Sequence, residues 1–304
     1  MRAQASKAQF VTPSPGPHER GSALVVGQNG IPASPEHGSG AQEEDKSRGG
    51  LLVVNADDWG RDARTTDRIL DCSRAGAISS ASAMVFMEDS ERAAAMASEN
   101  CIETALHLNF TSAFSDARCP AKLLECQERV ARHLLRHRLA PALFHPGLRR
   151  CFEYLVIAQI DEYRRLYGGD PARLDGHHHM HLSANVLLEG LLPEGTIVRR
   201  NFSFQAGEKS ICNRLYRKVS DRWLGSRHRL ADYFFSIVPL HPDARLRRIY
   251  SLACTSVVEL ETHPIQPDEY QYLAGGKIFA KIGAARIAPP FAMSTMQFTA
   301  EGSC

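Results

Sequence analysis

The chain has 304 residues, 43% hydrophobic and 23% charged, the composition of a globular protein with a substantial core. Lys plus Arg total 36 and Asp plus Glu 34, so the formal charge of +2 argues against a protein that wraps nucleic acid or coats an anionic membrane. No apolar run approaches the ~20 residues of a membrane span.

Residues 1–50 hold 8 Gly and 5 Pro and show no helical or strand period. They are expected to be a disordered extension outside the fold. Their longest apolar run, Ala23-Leu24-Val25-Val26, is shorter than the ~7–15 residues of a secretory h-region. The 254 residues that remain match the ~250 of a (β/α) barrel. Eight cysteines are scattered without a C-x-x-C pair, which predicts reduced thiols in a cytoplasmic protein rather than a zinc ribbon.

The run Leu51-Leu52-Val53-Val54 stops abruptly at Asn55-Ala56-Asp57-Asp58. This predicts a strand buried on both faces with polar groups at its C-terminal end. A helix is expected over 63–75, with Gly76 just beyond its end. Residues 78–87 read as a strand, 88–98 as a helix and 102–108 as a third strand. Helices near 121–138 and 152–167 precede a short strand at 173–175. A helix over 183–192, a strand over 196–199 and a helix over 210–224 follow. Then come a strand at 232–238, a helix at 246–253, a strand at 256–262 and a helix from Pro267 to Leu273. Residues 289–304 lack periodicity and are expected to form an irregular tail, leaving 51–288 as one domain. Strand and helix alternate throughout, which predicts a largely parallel α/β fold.

Candidate chemical residues fall at the C-terminal ends of these strands: Asp57 and Asp58, His107, Asp175 with His177, and His263. Barrels and open α/β sheets both place their sites at that edge. Adjacent carboxylates repel unless a cation or a shared proton relieves them, although an isolated Asp-Asp pair is more often a solvated turn or cap. Four of the 13 histidines crowd into Asp175-Gly176-His177-His178-His179-Met180-His181. Along an extended chain His177, His179 and His181 would share one side, the pattern of a transition-metal site. Alone, His107 among apolar neighbours reads more readily as a core residue, and His263 before Pro264 is ambiguous. Residues 199–229 carry nine Lys or Arg against Glu208 and Asp221, which reads first as a solvated helix face. No P-loop, G-x-G-x-x-G or G-x-S-x-G motif is present.

Four motifs together resemble the YdjC-like family, which includes chitooligosaccharide deacetylase. They are Val54-Asn55-Ala56-Asp57-Asp58-Trp59-Gly60, Leu106-His107-Leu108-Asn109-Phe110-Thr111, Asp175 to His181, and Val258-Glu259-Leu260-Glu261-Thr262-His263-Pro264. The resemblance spans roughly residues 51–280. It implies a distorted (β/α) TIM-like barrel and a metal-dependent deacetylase of N-acetylated mono- or oligosaccharides, with no nucleic-acid or membrane partner and with a homodimer left open. Carried over, Asp58, His107 and His177 would hold one divalent ion. Asp57 would be the general base and His263 the acid. His179, His181, Asp175 and Trp59 would border the sugar, Trp59 standing where Phe is frequent. The ion would be Mg²⁺ by resemblance, while two His and one Asp also suit Zn²⁺. Two alternatives stay open: a phosphoesterase using the same Asp/His site with the basic segment on phosphate, and a non-catalytic sugar- or metal-binding protein.

Overall fold

The computed structural model describes residues 49–204 and 210–295. The expected extension, apart from its last two residues, and the end of the expected tail lie outside the described residues. Seven strands form one parallel sheet: β1 (Leu51–Trp59), β2 (Ser80–Ala83), β3 (Thr104–Leu108), β4 (Arg173–Gly176), β5 (Ile197–Val198), β6 (Tyr233–Ser236) and β7 (Val257–Thr262). Their order is β5-β4-β3-β2-β1-β7-β6. Helices make the crossovers: α1 (Ala63–Arg74), α2 (Ser90–Glu99), α3 (Ala121–Leu134), α4 (Arg149–Tyr167), α5 (Ala184–Leu188), α6 (Ile211–Gly225), α7 (Asp243–Leu252) and, after the last strand, α8 (Pro267–Leu273). The Asp62 side chain caps α1 by accepting from the Thr65 amide. Gly76 supplies the left-handed residue (φ +68°) beyond its end. No helix among the described residues is long and apolar enough to cross a membrane.

The sheet is strongly curled. In a flat sheet β5 and β7 would stand five strand spacings apart, roughly 24 Å at ~4.8 Å each. Yet Arg199, just past β5, donates from Nε to Glu259 on β7 at 2.8 Å. The seam between the two edge strands is drawn together by Val198 N–H to Arg229 O (2.9 Å) and Ser203 N–H to Phe234 O (2.8 Å). The result is a distorted, TIM-like barrel of a single α/β domain.

Strand parity sorts the side chains into layers. Leu52, Val54, Leu106, Leu174, Val258 and Leu260 face the helices and form the main core. Inside the barrel, Val53, Ile197 and Val257 make an apolar floor. One strand pitch higher, the lining turns polar and charged: Asn55, Ser80, Arg173 and Glu259, then Asp57, Ser82, His107, Asp175, Arg199 and Glu261, all buried. Thus β1 is buried on both faces as expected, its outer face apolar and its inner face turning polar beyond Val53. The expected irregular tail differs at its start. Ala292–Thr295 is a short helix, and Met293 packs beneath the barrel floor with Val53, Ile197 and Val257.

Trp59 was expected at the sugar site, but it is fully buried in the main core with Ile69, Met84 and Ala93. An indole this fully enclosed has no face for a substrate. Trp59→Ala is therefore expected to lower unfolding free energy by about 3–5 kcal/mol, measured by urea unfolding, as for a deleted core aromatic.

Candidate active site

Successive residues of a regular strand point to opposite faces, so Asp57 and Asp58 should diverge. They do not, because the β1–β2 register slips between Ala56 and Trp59 and Asp58 adopts φ +73°. A left-handed Asp costs of order 1–3 kcal/mol, although Asp tolerates the conformation better than most residues. The bulge turns both carboxylates toward one site and re-aims Trp59 into the core.

Asp58 meets two imidazoles. Its Oδ1 lies 3.0 Å from His177 Nδ1 and 3.5 Å from His107 Nε2. Oδ2 accepts from Arg61 (3.0 Å), whereas Oδ1 is buried without a hydrogen bond. These three donor atoms converge within 4.8 Å of one another. Ligands ~2.1 Å from a cation at 90–110° stand roughly 3.0–3.4 Å apart, so the spacing fits a metal centre. Burial would raise the Asp58 pKa, but contact with His177 and the nearby His107 keep it below the ordinary carboxylate range. Strand register sets His107 beside Asp175. Asp175 Oδ1 lies 2.7 Å from His107 Nδ1, leaving Nε2 to face Asp58. A carboxylate behind an imidazole fixes its tautomer and strengthens it as a ligand.

Asp57 belongs to a different arm. Arg199 grips it with both terminal nitrogens (2.6 and 2.8 Å), and Asn55 Nδ2 adds a third bond (2.8 Å). The same guanidinium reaches Asp175 at 2.8 Å, Glu259 at 2.8 Å and Glu261 at 3.5 Å. Burial alone would raise the Asp57 pKa; Arg199 outweighs it and holds the carboxyl well below its usual range. Glu261 goes the other way, pushed well up by burial and by the adjacent Asp57.

Arg199, Glu259 and Glu261 were not singled out from sequence. Arg199 was absorbed into the basic segment, although it ends an expected strand like the other site residues. Its signal was position rather than charge. Arg200 is likewise committed, to Asp221 at 2.9 Å. These two arginines of the basic segment are thus engaged by carboxylates.

The histidine motif is not extended. His177–Leu182 forms a tight turn in which His178 and His179 both have positive φ (54° and 58°). The expected one-sided row of His177, His179 and His181 is therefore replaced by a splayed set. His177 reaches Asp58, His178 Nδ1 meets Thr111 Oγ1 (3.1 Å), and His179 Nε2 faces Glu261 (3.4 Å). His181 is fully buried, its Nε2 bonded to the Arg199 carbonyl (2.9 Å) and its pKa lowered by burial to about 4. His181 and Asp175 were expected at the sugar; both are enclosed, and they brace Arg199 and His107 instead. His179 remains partly exposed at the mouth of the site.

His263 follows β7, and it groups with Asp57 and Glu261 within 4.8 Å. Its backbone N–H donates to Glu269 on α8 (2.7 Å). Burial raises Glu269 from 4.5 to about 7.

Two outcomes follow from this geometry. Asp175→Asn should weaken divalent-metal binding by about 10–100-fold, read by calorimetric titration. Because Glu269 holds its proton more tightly when folded, its contribution to stability is full below pH 4.5 and is lost as pH rises through about 7. At ~1.4 kcal/mol per unit, the wild type should lose about 3 kcal/mol more unfolding free energy than Glu269→Gln across that window, measured by urea unfolding at each pH.

Residues 51–279 match the family model described as YdjC-like protein. A mouse protein named carbohydrate deacetylase is 34% identical over 137 residues, covering 44% of this chain and 44% of the mouse protein. A chitooligosaccharide deacetylase of Proteus mirabilis is 29% identical over 132 residues, 43% of this chain and 50% of that protein. The aligned parts thus span half or less of these relatives. A solved Enterococcus faecalis structure, titled as a cellobiose-phosphate cleavage protein, shares the fold with TM-score 0.54 at 16% identity, over 79% of this chain and 97% of that one. With the family model covering the whole barrel and the four motifs meeting at its C-terminal edge, the chain belongs to the YdjC-like protein family.

Proposed function

We propose that the protein is a metal-dependent carbohydrate deacetylase, hydrolysing the acetamide of N-acetylated, chitooligosaccharide-type sugars, with residues 51–288 as the catalytic unit. The observation that carries this is the division of labour at the end of β1. One carboxylate joins two imidazoles at metal-ligand spacing, and its neighbour is held ionised by a buried arginine. The deacetylase names of the mouse and Proteus relatives support the same reading.

Asp58, His107 and His177 would hold a divalent cation, which when bound supplies Lewis-acid polarisation of the acetyl carbonyl and an acidified water. Asp57, beside it, accepts the proton of the attacking water on a carboxylate oxygen. A carboxylate this acidic is a weak base, adequate only for an acidified water. His263 donates a proton to the departing amine nitrogen. Each such transfer is typically worth about 10²–10⁴-fold. Arg199 and Asn55 hold Asp57 at one orientation, and Asp175 presents His107 Nε2 to the ligand cluster.

The test is acetate release from N-acetylglucosamine oligomers by metal-stripped protein reloaded with Mg²⁺ or Zn²⁺. Release should be lost in His107→Ala and His177→Ala and fall about 10²–10⁴-fold in Asp57→Asn. Metal-loaded protein that releases no acetate but cleaves a model phosphoester would refute the reading.

A further inference from the structure

One aromatic group beside the site takes no part in this chemistry. Phe202 is half-buried and stands just past β5, three residues after Arg199. Ser203 pins it to edge strand β6: its N–H donates to Phe234 O (2.8 Å), and its Oγ accepts from Phe234 N–H (3.1 Å). The Phe202 ring stacks on Phe234 with centroids 4.5 Å apart and planes 13° apart. Phe234 is fully buried and carries the Arg199 guanidinium over its ring at 4.9 Å. The His179 ring meets Phe202 edge-on at 4.6 Å. His179 Nε2 in turn faces Glu261, which groups with Asp57. A chain of direct contacts therefore joins the base to Phe202.

Phe202 also looks outward. It walls a groove of about 360 Å³ lined with Ser203, Phe204, Phe235, Pro239 and Arg248. That volume is within the range of small-ligand sites. A sugar ring has an apolar C–H face and a hydroxyl rim. The negative face of an aromatic ring attracts those C–H groups, and burying them removes apolar surface from water. Phe202 is positioned by its stacked partner and by the two hydrogen bonds of the neighbouring Ser203 to Phe234, one backbone and one through the Ser203 hydroxyl, which limits the ordering cost on binding.

We infer that Phe202 is a stacking platform for a sugar ring adjoining the one that bears the reacting acetamide, with the groove beyond it receiving the chain. This rests on the deacetylase reading above. Phe202→Ala should lower the ratio of kcat/KM for the N-acetylglucosamine trimer over the monomer about tenfold, chiefly through KM. Phe202→Tyr should restore the ratio, and Phe202→Leu, which keeps bulk but not the flat ring, should not. An unchanged ratio in Phe202→Ala, or full rescue by Leu, overturns the platform. Calorimetric titration of the trimer into the His107→Ala protein, with and without Phe202→Ala, reads binding without catalysis. Trimer binding weakened about tenfold by loss of the ring supports the platform even if the wild type releases no acetate, an outcome that would sink only the deacetylase reading. Acetate release with trimer binding indifferent to Phe202 would sink only the platform.

Discussion

The barrel interior depends on one buried guanidinium. Arg199 touches Asp57, Asp175, Glu259 and Glu261, and its side chain is 1% exposed. Taking a carboxylate out of water costs several kcal/mol unless it is paired, and breaking one buried pair typically costs about 3–5 kcal/mol. A planar fork with five donors suits this role; a lysine ammonium offers no bidentate grip. Because Arg199 holds both Asp57 and the carboxylate behind His107, it couples the two arms of the site. Asp57 and the cluster of Asp58, His107 and His177 share one anchor.

The surrounding charges remain unequal. Asp57, Asp58, Asp175, Glu259 and Glu261 are buried, whereas among the described interior side chains only Arg173 and Arg199 carry fixed positive charge. Arg61 relieves Asp58 from the rim. An interior with this excess favours every process that adds positive charge. Glu261 answers by a pKa pushed well up, His107 by a raised pKa despite its burial, and the Asp58 cluster by its fitness for a cation. The acidity of Asp57 and the basicity of Glu261, on neighbouring strands, are two sides of the same imbalance.

Much of this was legible in the sequence. Apolar runs ending in Asp or His located the strands and put Asp57, Asp58, His107, His177 and His263 at one edge, and the structure brings them together there. What stayed hidden has specific physical causes. Composition registers that 199–229 is basic but not that Arg199 turns inward, which depends on the curl of a sheet whose strand order is not local. The pairing of His107 with Asp175 spans two intervening helices, so the support role of Asp175 could not be read. Parity failed in the histidine turn because left-handed residues at His178 and His179 break the alternation on which it rests, and the left-handed Asp58 likewise turns Trp59 into the core. Glu259 and Glu261 were readable in principle, since they alternate with Val258 and Leu260 along β7.

The shortest strand carries the heaviest duty. β5 spans only Ile197–Val198 and lies at the edge of the sheet, where fraying is ordinarily easiest. Yet letting β5 peel away would withdraw Arg199 and strand four carboxylates in a low-dielectric interior. Electrostatics thus closes a seam that hydrogen bonding alone would leave weak. The same charges that prepare the site act as a clasp for the barrel, so local opening at this edge is coupled to the protonation of the interior.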